Sequence, residues 1–141
     1  MREAFVTLHP LAVFAVAFFG FFLGWLWYSQ FLFAKAWMKE MNFTKEQMQG
    51  LKPARGALML AGGFFCTLLS TTALAFFINE HHLQGPLAGL KMGLFLGLGF
   101  CATRFTVNSI FQMKSLKLYL IVVGYDIFLF AVQGAILGVW R

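Results

Sequence analysis

Long apolar runs separated by short polar connections set the pattern along the chain. Residues 11–33 and 56–78 contain no charged residue, and each run exceeds the ~20 residues needed to cross a hydrocarbon layer of ~30 Å. Two later runs are also long enough, although one carries Lys91 and Arg104 and the other carries Asp126. The pattern predicts one all-α domain over residues 1–141, an integral membrane four-helix bundle with spans at about 11–33, 56–78, 87–110 and 116–140.

The longest connection, "AKAWMKEMNFTKEQMQGLKPARG", predicts a short interfacial helix between the first two spans. Residues 35–41 can extend the first helix beyond the membrane. Thr44 followed by Gln47 then has the spacing of a capping box, which opens a second helical segment. Its apolar residues would lie on the bilayer surface with lysines above them: Phe43, Met48 and Leu51. A partly ordered loop is the alternative.

Composition places the chain in a membrane and excludes several functions. The 141 residues are 60% hydrophobic and only 11% charged, far from the composition of a soluble domain. The net charge of +6 arises from basic residues in the connections, which suits anionic lipid headgroups better than nucleic acid. The adjacent His81 and His82 lack metal-ligand spacing, and no serine or cysteine has an evident base partner. We therefore predict no cofactor, no metal and no enzymatic activity.

Basic residues also predict the orientation. The first and third connections hold most of the lysines and arginines, so the positive-inside rule places both termini outside the membrane. Trp27, Tyr28 and Trp37 lie toward the basic side, as expected of an interfacial aromatic belt, although each could equally pack within the protein.

Glycines predict where helices approach one another. Gly89, Gly93 and Gly97 recur every four residues in the third span, and Gly134 and Gly138 repeat the spacing in the fourth. Such a groove lets another backbone come close, as in a glycine zipper. We interpret the glycines first as packing within the chain and second as an oligomer interface, and we expect a homo-oligomer.

The charged residues inside the last two spans predict an intramembrane ion pair. Counted from the connection near residue 113, Arg104 and Asp126 fall within roughly one helical turn of equal depth on antiparallel neighbours. Arg104 lies eleven residues after Gly93, which places it on the glycine face together with Asn108. The pairing would offset the cost of each charge in lipid, so Arg104 is expected to point inward.

A polar stripe follows the fourth span. Tyr119, Asp126 and Gln133 are spaced by sevens and share one helix face, and Thr71 adds a polar group in the second span. This track either hydrogen-bonds helices to one another or lines a path for an ion or solute.

Two stretches resemble a known family. In "FFGFFLGWLWYSQFLFAKAWMKEM", Gly24 is followed by the cluster Trp27–Ser29 and then by Lys35, Ala36 and Trp37, with Ala34 in place of a frequent glycine. The stretch from residue 99 contains Gly-Phe-Cys-Ala-Thr, an asparagine, a basic turn, Gly-Tyr and Gly-Ala-Ile-Leu-Gly. Both resemble the small bacterial membrane proteins of domain-of-unknown-function family seventeen sixty-one. The resemblance implies a four-span protein of the bacterial inner membrane and supplies no activity.

Two functional hypotheses follow. The first is a non-enzymatic, self-associating membrane protein with a structural, regulatory or lipid-binding role, whose partners are membrane lipids and further copies of itself. The alternative is a small transporter or channel that uses the polar track around Arg104 and Asp126, with a small-molecule ligand that the sequence does not identify.

Overall fold

The computed structural model describes residues 9–140, apart from the side chains of Lys45 and Met48, and this part of the chain is helical without strands. Four stretches are long and apolar enough to cross a membrane, which confirms the all-α, four-helix architecture. The helices are α1 Pro10–Trp27, α2 Ala34–Glu40, α3 Lys45–Gln49, α4 Pro53–Glu80, α5 Pro86–Leu96, α6 Thr103–Phe111 and α7 Leu116–Leu137, and a π-helical segment Gly97–Ala102 joins α5 to α6.

The first span is shorter than its apolar run. α1 ends at Trp27, and a turn over residues 28–33 separates it from α2. Within this turn the Phe33 N–H donates to the Trp27 carbonyl at 3.1 Å. The prediction that residues 35–41 extend the first helix is therefore wrong. The turn carries no charge and its second half, Phe31 to Phe33, is apolar, so the uncharged run continues past the end of the helix.

The capping box between the first two spans is confirmed. The Thr44 N–H donates to Gln47 Oε1 at 2.9 Å, and the Gln47 N–H donates to Thr44 Oγ1 at 3.2 Å. The short helix α3 follows directly. Pro53 then occupies the first turn of α4, where its missing N–H costs nothing, so the second span begins before residue 56.

α7 is the central helix of the bundle, because it contacts α1, α4 and the third span. The main apolar core lies toward the end opposite the basic connections and contains Val13, Val16, Leu74, Ala75, Ile78, Leu96 and Leu137. At the basic end, residues 53–63 of α4 are almost entirely exposed. Arg2 and Arg141, the basic residues nearest the two termini, lie outside the described residues.

The closest helix contact joins α5 to α7. A Cβ added at Gly89 would overlap the carbonyl oxygen of Gly134 and lie 3.1 Å from the Cα of Gly138. A Cβ at Gly97 would lie 3.3 Å from the Cα of Ile127. The Gly85 N–H also donates to the Gly138 carbonyl at 2.9 Å, from the start of one helix to the end of the other. Backbone thus meets backbone along this contact, as small residues permit.

Candidate functional site

The π-helical segment in the third span decides which polar residues face the bundle. A π turn holds one residue more than the equivalent α-helical path, so it rotates the following helix by about 100°. Before the segment, Gly89 and Gly93 face inward and are buried. After it, Phe105 and Ser109 are the more buried residues on the inner face. Each inward position is thus one residue later than α-helical spacing predicts.

Arg104 and Asn108 are exposed on the outer face of α6, contrary to the expectation that both point inward. Asp126 is half-buried in α7, and no ion pair joins it to Arg104 within residues 9–140. The helix register also separates them. Thr106 Oγ1 lies 2.8 Å from the Tyr119 hydroxyl, so Arg104, two residues before Thr106, lies at about the level of residue 121. Asp126 and Ile127 lie opposite Gly97 instead. The two charges therefore differ in depth by more than one helical turn.

Two threonines hydrogen-bond to carbonyls of the π-helical segment. The Thr103 hydroxyl contacts the Gly99 and Phe100 carbonyls at 2.7 and 3.2 Å. The Thr106 hydroxyl donates to the Ala102 carbonyl at 2.7 Å. The same side-chain bond to the fourth preceding carbonyl is made within the regular helix α4 by Thr67, Thr71 and Thr72, so it is not specific to the wider turn.

A buried polar junction joins α1, α4 and α7. Gln133 is 0% exposed, and its Nε2 donates to Thr71 Oγ1 at 2.9 Å and to the Val16 carbonyl at 3.4 Å. Thr71 in turn donates to the Thr67 carbonyl at 2.7 Å. A Cβ at Gly20 would collide with the Gln133 amide, so glycine at this position leaves room for the side chain. The Gln133 Oε1 is buried without a partner among the described residues.

The polar stripe of α7 does not form one continuous track. Tyr119 bonds to Thr106 in α6, whereas Gln133 bonds to residues of α1 and α4. Asp126, between them, lies in electrostatic range of Tyr28 at the end of α1. Burial raises the pKa of Tyr28, and the charge of Asp126 raises it further, so the phenol stays protonated. The stripe therefore divides among different neighbours.

Two of the aromatic residues expected in an interfacial belt, Trp27 and Tyr28, pack against α7. Trp27 Nε1 donates to the Ile121 carbonyl at 3.1 Å. The Tyr28 ring lies 5.5 Å from that of Tyr125 and 5.9 Å from that of Trp37. These contacts bring α1, α2 and α7 together, and Trp27, Tyr28 and Trp37 are all half-buried.

Glycines from each resembling stretch fit against these rings. A Cβ at Gly24 would lie 2.6 Å from the Tyr125 hydroxyl, and one at Gly124 would lie 3.7 Å from the Trp27 ring. The N-terminal and C-terminal motifs therefore meet in space. The model of a family described as a protein of unknown function, DUF1761, matches residues 11–138. The chain belongs to the DUF1761 family. No curated protein and no solved structure matches it.

The arrangement in this DUF1761 protein includes a further group that sequence reasoning missed. Ser109 is buried, and its hydroxyl has no hydrogen-bond partner among the described residues. The only sequence signal for its inward position is the Gly-Phe-Cys-Ala-Thr stretch, which coincides with the π-helical segment. In the described part of the chain, no three His, Cys, Asp or Glu side chains lie together as they would around a metal ion.

Proposed function

We propose that this DUF1761 protein is a self-associating integral membrane protein without a catalytic role, and that the outer face of α6 contacts a second copy. The exposure of Arg104 supports this proposal most strongly, because Arg104 lies inside a candidate span, Pro86–Phe111. Charged residues in membrane helices almost always face protein or water, since lipid does not solvate them. An arginine on the outer surface of the single chain therefore favours a surface that a neighbour covers.

The same face supplies groups that a neighbouring copy can bind. Asn108 follows Arg104 by one helical turn and is also exposed. A two-fold axis along the membrane normal would bring identical faces together. Arg104 of one copy would then lie about 6 Å in depth from Asn108 of the other, a distance that an arginine side chain spans. Val107 and Phe111, which are 45% and 83% exposed, would pack around this polar contact.

We further propose that the basic connections face the cytoplasm of a bacterium and that both termini lie outside. Lys35, Lys39, Lys52 and Arg55 are exposed at the end of the bundle that also holds the α6–α7 turn. The positive-inside rule favours this orientation. Cysteine-accessibility labelling of Lys52→Cys and His82→Cys in a cysteine-free chain measures it; labelling of the former from outside would reverse the assignment.

A transport role has one observation in its favour, the unpartnered Oε1 of buried Gln133. Its support is weaker because Arg104 and Asn108 lie on the outside and because Tyr119 and Gln133 bond to different helices. A flux assay in proteoliposomes tests it. Solute flux that Gln133→Leu abolishes would favour transport over self-association alone.

Disulfide cross-linking in membranes tests the proposed interface. The starting chain carries Cys66→Ala and Cys101→Ala. Val107→Cys places a thiol on the outer face of α6, and Leu120→Cys places one at similar depth on an exposed position of α7. We expect a covalent dimer with the first variant and little with the second. Equal cross-linking at both positions would indicate random collision and would contradict the interface.

Arg104 itself gives the second measurement. Replacing Arg104 with Gln removes the charge and keeps a side chain that can still form hydrogen bonds. We expect the dimer in detergent to dissociate about tenfold more readily, as loss of an interhelical polar contact of ~1–2 kcal/mol predicts. An unchanged dissociation constant of the dimer would show that Arg104 does not contribute to the interface.

A further inference from the structure

A cavity of about 310 Å³ lies between the end of α6 and the start of α7. It occupies the basic end of the bundle, next to the turn over residues 112–115. Its lining combines polar and apolar side chains: Thr106, Ser109, Ile110, Lys114, Leu116 and Tyr119.

The cavity contains a hydrogen-bond donor that nothing in the described chain uses. Ser109 is only 7% exposed, and its Oγ has no partner. A buried polar group normally finds one, since an unsatisfied hydroxyl costs free energy. The Ser109 hydroxyl therefore indicates a ligand with an acceptor atom.

The other polar groups define the chemistry further. The Thr106 hydroxyl donates to the Ala102 carbonyl, so the 2.8 Å contact with Tyr119 is donated by the phenol. The Tyr119 oxygen keeps an acceptor site. Lys114 is half-buried, and its Nζ lies 5.6 Å from the centre of the Phe105 ring. The cavity thus offers a cation, a hydroxyl donor and a hydroxyl acceptor.

The residues around the cavity limit the chemical class of its ligand further. Glu40, outside the lining, accepts a hydrogen bond from Ser115, the N-cap of α7, so its carboxylate is already engaged. Ile110 and Leu116, at the rim, are 68% and 71% exposed. The lining thus changes from polar groups inside the cavity to apolar side chains at its rim. A ligand with an anionic end and an apolar remainder matches this arrangement better than a free anion does.

We propose that this cavity binds the phosphodiester headgroup of an anionic glycerophospholipid. Lys114 and Ser109 donate to the phosphate oxygens, and Tyr119 accepts from a hydroxyl of the headgroup. The acyl chains leave past Ile110 and Leu116 into the bilayer. The site straddles the end of the third span, with Ser109 inside it and Lys114 beyond Phe111, and the ends of spans lie next to the headgroup layer. The proposal goes beyond self-association and does not depend on the outer face of α6.

Native mass spectrometry of the full chain, delipidated and then titrated with phosphatidylglycerol, tests the site. Ser109→Ala and Lys114→Gln should each weaken binding about tenfold, as expected for a hydrogen bond to a charged group. Ser70→Ala and Lys117→Gln are matched controls that make the same chemical changes outside the cavity, and both should leave affinity within about twofold. Equal weakening by Lys117→Gln would indicate general surface charge and would overturn the site.

Two further ligands separate the sources of the phosphate. Glycerol phosphate, which lacks acyl chains, should bind far more weakly than the lipid; equal affinity would make the site one for a soluble phosphate ester. Diacylglycerol, which lacks the phosphate, should not compete; full competition would refute headgroup recognition. The folded state of each variant is checked by circular dichroism and by its elution volume. The dimer is measured in Ser109→Ala as well. If the dimer persists while lipid binding is unchanged, the lipid site is refuted and the proposed α6 interface is not.

Discussion

The contact between α5 and α7 makes a sharp prediction at Gly93. A Cβ placed there would overlap the carbonyl oxygen of Phe130 and would lie 2.6 Å from its carbonyl carbon and 3.1 Å from the Cα of Ala131. These are backbone atoms of a packed helix, so no side-chain rotation relieves the overlap. Gly93→Ala must therefore separate the helices by on the order of 1 Å, which forfeits up to half of the dispersion attraction at each nearby contact.

The expected cost is about 1–3 kcal/mol of unfolding free energy, the range measured for overpacked interiors. Thermal and denaturant unfolding of the purified protein in detergent measures it. Gly62→Ala is the matched control, because nothing lies within 4 Å of a Cβ added at Gly62 in the middle of α4. That control should be neutral or stabilising by ~0.5–1 kcal/mol through helix propensity. Equal stability of the two variants would refute the close approach of α5 and α7.

Three further predictions concern the polar residues and the π-helical segment. In a double-mutant cycle of Arg104→Met and Asp126→Leu, the losses in stability should add to within ~0.5 kcal/mol. A larger coupling energy would show that the two side chains form an ion pair. Gln133→Leu should lower the free energy of unfolding by about 1 kcal/mol, and Thr71→Val should lower it little further once Gln133 is replaced. Full additivity of the two losses would show that these side chains do not interact. Deleting Gly99 should convert the wide turn to α-helix and preserve the inward face beyond it; a collapse in melting temperature would show that the segment is required.

The fold could be predicted from the sequence because hydropathy reports directly on what a membrane selects. A helix that crosses lipid must be apolar over ~20 residues, and the four runs met that condition. The end of α1 was beyond this reasoning. Residues 28–33 are uncharged and end in Phe-Leu-Phe, so the apolar run does not mark where the helix stops. At that point Trp27 and Tyr28 pack against α7, a contact between residues about a hundred positions apart that periodicity does not report.

The orientation of Arg104 failed for a different reason. The prediction assumed that every residue between Gly93 and Arg104 turns the helix by 100°. The π-helical segment Gly97–Ala102 lies between them, so the count gains one residue and the face changes. Periodicity analysis has no means of registering such an insertion unless the wide turn has a recognisable sequence. Here the nearest signal is Thr103, whose hydroxyl bonds to the Gly99 carbonyl.

The residues that carry the family resemblance serve architecture more than chemistry. Gly24 packs against the Tyr125 ring, Gly134 meets Gly89, and the Thr103 hydroxyl bonds to the Gly99 carbonyl. These residues do not line the cavity, whereas the basic turn of the same C-terminal stretch contributes Lys114 to it. The glycines of the resembling stretches therefore pack helices together, and the basic turn between them supplies the cation of the cavity. The π-helical segment Gly97–Ala102 precedes both Arg104 and Ser109. Because it shifts the inward face by one residue, Ser109 points into the bundle, where its hydroxyl has no partner among the described residues, and Arg104 points outward.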